Sequence, residues 1–303
     1  MTTSPTVFRV LRDRDAGLYL GAVVVSGFGT SSLWLASGVW VKDMTGSDAL
    51  AALCMLAMWA PSLAGPALGT LADRVRRRPL LIRLNLGLAA LLPVLFAVDS
   101  PDRLWILYAV LLVYGATGTV HDAAESALVT TVVGTGLLGD FNGLRMTVTE
   151  GMKLVAPLTG AGLYAAWGGP AVACLDAASF VLAAGMCALL RVREERPVRS
   201  GEGWWRETAE GTRHLWGHPA LRPLVLAGGL TMLFTSLAGT AVYAVVDRLG
   251  HSPAYLGVLY AAQGAGSVAA GLLAADVIVQ AHARATSAQR ETALQRYPRV
   301  LKD

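Results

Sequence analysis

The chain has 303 residues, of which 54% are hydrophobic and only 15% are charged, and its mean hydropathy is +0.51. This composition leaves too little polar surface to cover a water-soluble globule of that length, so it excludes an ordinary soluble domain. A net charge of +4 and a pI near 9.1 would suggest nucleic acid as a partner of a soluble protein, but here the positions of the basic residues decide the matter.

Runs without Asp, Glu, Lys or Arg predict membrane-spanning helices. Each must reach the ~18 residues that cross a hydrocarbon core. Six do so: 16–41, 49–72, 104–121, 154–175, 223–246 and 249–275. Two more follow when one charge is allowed, at 79–98 with Arg83 and at 170–190 with Asp176. Because a bilayer offers no water to backbone groups, these eight segments are expected to be helices. The predicted fold class is all-α integral membrane.

Basic residues are concentrated in alternate connections. They cluster before the first span, at 74–83, in 191–222 and in the C-terminal tail, whereas Lys42, Arg103 and Arg248 stand alone in the other connections. This is the positive-inside pattern, and it predicts that both termini are cytoplasmic. It also explains the basic pI through contact with the lipid bilayer, so we predict no nucleic-acid partner.

The connection between predicted helices two and three reads GTLADRVRRRPLL over residues 69–81. Arginines at the inner surface suit anionic lipid and the C-terminal end of a helix dipole, so a topology anchor is the simplest interpretation. An anchor requires neither Gly69 four residues before Asp73 nor an acid at the end of a helix. The presence of Gly69 and Asp73 therefore indicates a second role for this loop.

The loop resembles a motif of the major facilitator superfamily, G-x-L-a-D-R-x-G-R-[RK]. The matching residues are Gly69, Leu71, Ala72, Asp73, Arg74, Arg77 and Arg78. The stretches PSLAGPALG and VKDMTGSDALAAL look more particularly like the branch of macrolide and enterobactin exporters. The resemblance implies that Asp73 latches the outward-open state, with Arg74 and Arg78 as its supports. Arg76 stands where the family usually has glycine.

Transporters of this family consist of related halves, and an internal repeat is present. HPALRPLVL at 218–226 echoes LRDRDAGLYL at 11–20, and GLLAAD at 271–276 echoes GTLAD at 69–73. A major-facilitator-like helix bundle is therefore predicted, in four parts. They are a complete N-terminal six-helix half (1–190), a cytoplasmic linker (191–222), two helices of an incomplete second half (223–276) and a polar cytoplasmic tail (277–303). The family pattern of twelve helices implies truncation after the eighth, and a natural eight-helix variant is the alternative.

Charged residues inside predicted helix five, at about 143–167, form the first candidate site. Glu150 and Lys153 are three residues apart and share a helical face near the middle of the ~30 Å core. An unpaired charge there costs several kcal/mol, so the two should pair or face a wet cavity. A packed salt bridge and a role in substrate binding or proton coupling both remain open.

Asp122 and Glu125, beside His121 at the inner end of predicted helix four, are further candidates for proton coupling. Their ordinary interpretation is that of solvated acids at the membrane surface. Three potential ligands on one turn, without a distant partner, do not indicate a metal site, so we predict none.

A packing motif is predicted around Pro157, Gly160 and Gly162, in the stretch APLTGAG. It is similar to the G-x-x-x-G-P-x-x-G-G element of family exporters, and small residues let helices approach closely. Asp176 resembles a common position of the same branch, where we expect it to support packing.

The resemblance implies a proton-driven exporter of small amphipathic compounds, of drug, macrolide or siderophore type, in a bacterial cytoplasmic membrane. Neither a phosphate-binding loop nor a nucleophile constellation occurs, so we expect no cofactor and no enzymatic activity. If the chain is truncated, it would be non-functional as a transporter. The alternative is a non-transporting membrane scaffold, or a partner subunit, derived from a transporter half.

Overall fold

The computed structural model describes residues 6–134, 136–192, 194, 204–219 and 221–250, and the single residues 255, 258, 259, 262, 263 and 266. Every regular element in these residues is a helix, which confirms the all-α prediction. The α-helices are α1 (Thr6–Arg12), α2 (Arg14–Thr45), α3 (Asp48–Trp59), α4 (Gly65–Asp73), α5 (Arg77–Leu91), α6 (Leu104–Val132), α7 (Leu138–Trp167), α8 (Gly169–Leu189), α9 (Trp204–Gly217) and α10 (Leu221–Arg248). Short 3₁₀ segments occur at Ala60–Ala64, Leu92–Ala97 and Pro101–Arg103.

Five segments of the described residues are long and apolar enough to cross a membrane. They are Arg14–Thr45, Asp48–Asp73, Arg77–Ala97, Pro101–Val132 and Gly169–Leu189, which correspond to predicted helices one to four and six. The described part is therefore a multi-pass membrane bundle.

Predicted helix five is present as α7, which is 30 residues long and begins five residues earlier than expected. Its four charged residues, Asp140, Arg145, Glu150 and Lys153, make it less apolar than the five segments above. The charge-free run 154–175 is not one helix, because α7 ends at Trp167 and Gly168 adopts φ +76° before α8 begins. Predicted helix seven corresponds to α10. Most of predicted helix eight, the GLLAAD repeat and the tail from 277 lie outside the described residues.

Local sequence signals set the ends of the first two spans. The Asp13 carboxylate caps α2 by accepting from the backbone N–H groups of Asp15 and Ala16, at 3.1 and 3.0 Å. The helix stops at Gly46, whose φ of +69° is the left-handed conformation that glycine adopts most readily. Ser47 then caps α3.

The second span is a helix with a 3₁₀ interruption, α3 and α4 joined through Ala60–Ala64. Pro61 and Pro66 lie at the N-terminal positions of the 3₁₀ segment and of α4. Because proline has no N–H to donate, the α-helical ladder is broken at these points and the chain tightens locally.

The bundle is organised around α2, which packs mainly against α7 and α8. Residues of α10 cover part of this assembly, since Val242 and Val246 pack on Leu35, Val39 and Ala161. The amphipathic α9 lies against α4, where the Thr70 and Thr208 hydroxyls are 3.2 Å apart.

Candidate functional site

The predicted latch motif lies where α4 ends and α5 begins. Asp73 is the last residue of α4, is exposed, and forms no ion pair with any described residue. Arg74 follows it as the helix cap. Arg76 adopts φ −61° and ψ 130°, an ordinary extended conformation. The turn therefore accepts arginine in place of the usual glycine without backbone strain, and a Cβ on Gly69 would meet no atom within 4 Å.

Arg78 ties this loop to the end of α8. Its Nε donates to the Cys187 carbonyl at 3.1 Å and its Nη2 donates to the Ala188 carbonyl at 2.5 Å. Both carbonyls lie in the last turn of α8, where the Cys187 carbonyl also accepts from the Leu190 N–H at 3.3 Å, and a cation there offsets the helix dipole. The Arg78 backbone N–H donates to Glu194 at 2.8 Å. The basic loop is thus part of the bundle as well as a charged surface.

Glu150 and Lys153 form the ion pair that their spacing predicts. The Lys153 Nζ donates to Glu150 Oε1 at 2.5 Å. The Lys153 side chain is 50% exposed, whereas that of Glu150 is 19% exposed and its Oε2 is buried, so the pair is open on its lysine side. The second carboxylate oxygen of Glu150 has no hydrogen-bond partner among the described residues.

Helical periodicity places this pair on a defined face of α7. Ala161 and Tyr164, which pack in the cluster that α10 joins, lie eleven residues after Glu150 and Lys153 respectively. Eleven residues are about three turns. Glu150 therefore lies on the same side of α7 as Ala161, and Lys153 on the same side as Tyr164, each about 16 Å apart along the helix axis. The ion pair therefore lies on the α7 face that carries Ala161 and Tyr164, at the middle of the helix.

Glu125 lies in a buried cluster rather than at a solvated surface. Its side chain is 6% exposed, with Oε1 2.7 Å from Arg145 Nη2 on α7 and Oε2 3.5 Å from His121 Nδ1. Moving an unpaired carboxylate out of water costs several kcal/mol, and the Arg145 guanidinium offsets part of that cost for Glu125. The interpretation of Glu125 as a solvated acid is not what the geometry favours.

Asp122 is exposed, one residue from His121. The potential ligand atoms of His121, Asp122 and Glu125 lie within 4.8 Å of one another. Because Arg145 already faces the Glu125 carboxylate, a metal ion would have to displace a guanidinium. The donor set does not favour a metal site.

The packing motif brings α7 onto α2. A Cβ on Gly160 would collide with the Ser32 backbone, and the Ser32 hydroxyl donates to the Ala156 carbonyl at 2.9 Å. Pro157 lies inside α7 between these contacts. A Cβ on Gly162 would meet no atom within 4 Å, so the close approach depends on Gly160.

Asp176 is fully buried at the junction of α2, α6 and α8. Tyr114 donates to its Oδ2 at 2.9 Å, and the Ser179 hydroxyl lies 3.2 Å from its Oδ1. The Tyr114 hydroxyl is also 2.7 Å from Thr30 on α2. A Cβ on Gly29 would collide with Ser179 and Asp176, so a glycine makes room for the acid.

Two partners were not identified from the sequence, Arg145 for Glu125 and Tyr114 for Asp176. Arg145 was visible as a charge inside helix five. A buried acid in one span and a cation in the next, at similar depth, would have suggested the pair. Tyr114 carried no comparable signal.

The family model described as Major Facilitator Superfamily matches residues 18–286, which confirms the resemblance expected from the loop at 69–81. Macrolide efflux protein A of Streptococcus pyogenes is 26% identical over 258 residues, which are 82% of this chain and 63% of that protein. Macrolide efflux protein A of Enterococcus faecalis is 25% identical over 236 residues, 75% of this chain and 72% of that protein. The chain thus spans less than two thirds of the Streptococcus pyogenes relative, and no solved structure matches it significantly.

Proposed function

We propose that this chain, which belongs to the major facilitator superfamily, acts as a proton-driven exporter of small amphipathic compounds. It would lie in a bacterial cytoplasmic membrane with both termini on the cytoplasmic side. The printed names of two relatives support efflux, and the arginine-rich inner connections support the orientation.

The observation that carries the proposal is the ion pair of Glu150 and Lys153 near the middle of α7, with the Lys153 side chain half-exposed. Charges at this depth are costly in lipid and are expected to face a bundle interior or a wet cavity. In transporters of this kind the substrate site lies between the two halves near the bilayer midplane. We therefore place the substrate path along this face of α7.

The pair also offers a simple coupling chemistry. A proton delivered to Glu150 removes the negative charge that holds Lys153, so the ion pair opens. In an exporter driven by inward proton flow, the proton and the compound occupy this face alternately. The compound would bind while Glu150 is charged and would be displaced at the outer side when a proton reaches Glu150. When the proton leaves on the cytoplasmic side, the pair reforms and the face can take up the next compound.

Asp73 is proposed to act as a conformational latch. It is exposed at the end of α4, beside a loop that Arg78 holds against α8. An acid so placed would dock on the N-terminal end of a helix from the second half, or on a cation there, in the outward-open state. Arg74 and Arg77 would complete the charged surface of the loop.

The test is an efflux assay in bacteria that lack their own macrolide exporters. Cells expressing the chain are loaded with a labelled macrolide, and retention is followed with and without an uncoupler of the proton gradient. The proposal expects lower retention than in vector cells, abolished by the uncoupler. Glu150→Gln and Lys153→Met should each raise retention to the vector level.

Arg103→Gln is the matched control, because Arg103 pairs with Asp99 in an exposed outer connection, at 2.9 Å. It should leave efflux unchanged. If the wild-type chain is present in the membrane but retention equals that of vector cells, the exporter proposal fails. A membrane scaffold or partner subunit is then the better interpretation.

A further inference from the structure

A small cavity lies in the inner half of the bundle, between α2, α5, α6 and α8. Its volume is about 10 Å³, and the lining residues with polar side chains are Tyr19, Ser26, Asn85 and His121, of which Ser26 already donates to the Ala22 carbonyl at 2.9 Å. The rest of the lining is mainly apolar, as at Leu81 and Ala183. A volume of roughly 10–15 Å³ with two to four polar partners is what one ordered water needs.

Two buried side chains in this lining have unused hydrogen-bonding atoms. Tyr19 is 2% exposed and Asn85 is 1% exposed. The Tyr19 hydroxyl and Asn85 Oδ1 have no hydrogen-bond partner among the described residues, although Asn85 Nδ2 donates to the Leu81 carbonyl at 2.8 Å. Leaving a buried polar atom without a hydrogen-bond partner is unfavourable, so two such atoms at one cavity favour a partner that they share.

We propose that the cavity is an internal hydration site, in which Tyr19, Asn85 and His121 hold one water molecule. The hydroxyl of Tyr19 donates or accepts, and Asn85 Oδ1 accepts, so a water molecule can satisfy both atoms at once. His121 connects this site to the charged cluster, because its Nδ1 is 3.5 Å from Glu125.

The water extends a row of polar groups along one face of α2. Tyr19, Ser26 and Thr30 are separated by seven and four residues, which places them on the same side of the helix. Thr30 contacts Tyr114, which donates to the buried Asp176. The hydration site therefore lies between Glu125 at the inner end and Asp176 deeper in the bundle.

This row gives the site a role in transport, and that role rests on the proposed function. In a proton-driven exporter it is a route inside the six-helix half by which a proton would pass between Glu125 and Asp176. The titratable and charged groups at the cavity or beside Glu125 come from four helices. They are Tyr19 on α2, His121, Asp122 and Glu125 on α6, Arg145 on α7 and Cys187 on α8. Binding of the water molecule does not depend on whether the chain transports anything.

X-ray hydroxyl-radical footprinting of the purified full chain tests the proposal. Radicals formed from a bound water oxidise the side chains that hold it, and mass spectrometry measures the rate for each tyrosine. Tyr114 is the matched control. It is 3% exposed, as buried as Tyr19, but its hydroxyl is already occupied by Thr30 and Asp176. Tyr19 should be oxidised several-fold faster than Tyr114.

Two substitutions at Asn85 separate a bound water from general solvent access. Asn85→Leu fills the cavity with apolar atoms and should reduce Tyr19 oxidation to the Tyr114 rate. Asn85→Ala enlarges the cavity and should keep Tyr19 oxidation high. The proposal is overturned if Tyr19 and Tyr114 react equally in the wild type, or if folded Asn85→Leu protein reacts like the wild type.

The wild-type comparison stands even if Asn85→Leu does not fold. Footprinting does not measure transport, so the two proposals can fail separately. Absence of efflux would not contradict the hydration site. Absence of the bound water would not contradict the exporter proposal. Efflux measured in cells that express the Asn85→Leu variant tests only the proton relay, meaning the route between Glu125 and Asp176. If a bound water is present and Asn85→Leu keeps full efflux, the relay role is wrong.

Discussion

At the scale of single residues, the acids buried within the bundle are paired across helices. Glu125 on α6 faces Arg145 on α7, and Asp176 on α8 accepts from Tyr114 on α6. These contacts join elements that are otherwise held mainly by apolar packing. Each therefore fixes how one helix is rotated against its neighbour.

The pair of Glu125 and Arg145 supports a stability prediction. Arg145→Gln leaves the buried Glu125 charge without its cation, and breaking a buried pair in this way costs about 3–5 kcal/mol. Thermal unfolding of the purified protein in detergent should show a clearly lower midpoint. The double variant Glu125→Gln with Arg145→Gln should recover much of the loss, because no lone charge remains.

The control for this prediction is again Arg103→Gln, whose pair with Asp99 is more than half exposed. Exposed pairs contribute about 0–1 kcal/mol, so the midpoint should hardly change. If the double variant is as unstable as Arg145→Gln alone, the loss comes from packing around Arg145 rather than from a stranded charge.

At the scale of elements, the contact of α7 with α2 depends on the absence of a side chain at one position. Gly160 faces the Ser32 backbone, whereas Gly162, two residues further along the same helix, faces open space. A substitution at Gly160 therefore tests close packing against α2, whereas the same substitution at Gly162 tests intrinsic helix propensity.

Alanine at these two glycines should have opposite effects. Gly160→Ala forces α7 away from α2, and overpacking of this kind costs about 1–3 kcal/mol. Gly162→Ala adds a methyl group in open space and should stabilise the helix by about 0.5–1 kcal/mol. Thermal unfolding in detergent measures both. Equal destabilisation by the two variants would contradict the assigned interface.

Much of the helical layout could be predicted from the sequence, because a bilayer requires long apolar segments with satisfied backbones. The ends of α2 were predicted less well, because the charge-free run 16–41 is shorter than Arg14–Thr45, and the capping residues Asp13 and Gly46 lie outside that run. The boundary between α7 and α8 agrees with the predicted helices 143–167 and 170–190, whereas the start of α7 at Leu138, five residues before the predicted start, was not predicted.

The candidate site was only partly predictable. The pair of Glu150 and Lys153 follows from a local three-residue spacing, whereas Glu125 with Arg145 depends on how two helices are rotated against each other. Periodicity gives the faces of a helix but does not say which neighbour each face meets. For the same reason, the exposure of Lys153 came only from the structure.

At the scale of the whole molecule, the described helices form a bundle whose exposed surface is of two kinds. The outer side of α8 is apolar around Leu182, which is 57% exposed. The face of α7 around Lys153 is charged at a comparable position along its helix. In a membrane, the first surface suits lipid and the second suits water. The account depends on this difference.

Cysteine labelling tests that difference most directly. Lys153→Cys and Leu182→Cys are made separately in a chain whose native Cys54, Cys174 and Cys187 are replaced by alanine. Intact membranes are then treated with a small charged thiol reagent that reacts only where water reaches. The account predicts that the cysteine at 153 is modified rapidly and the one at 182 is not. A cysteine at 153 as unreactive as the one at 182 would place this face of α7 in lipid and contradict the proposed substrate path.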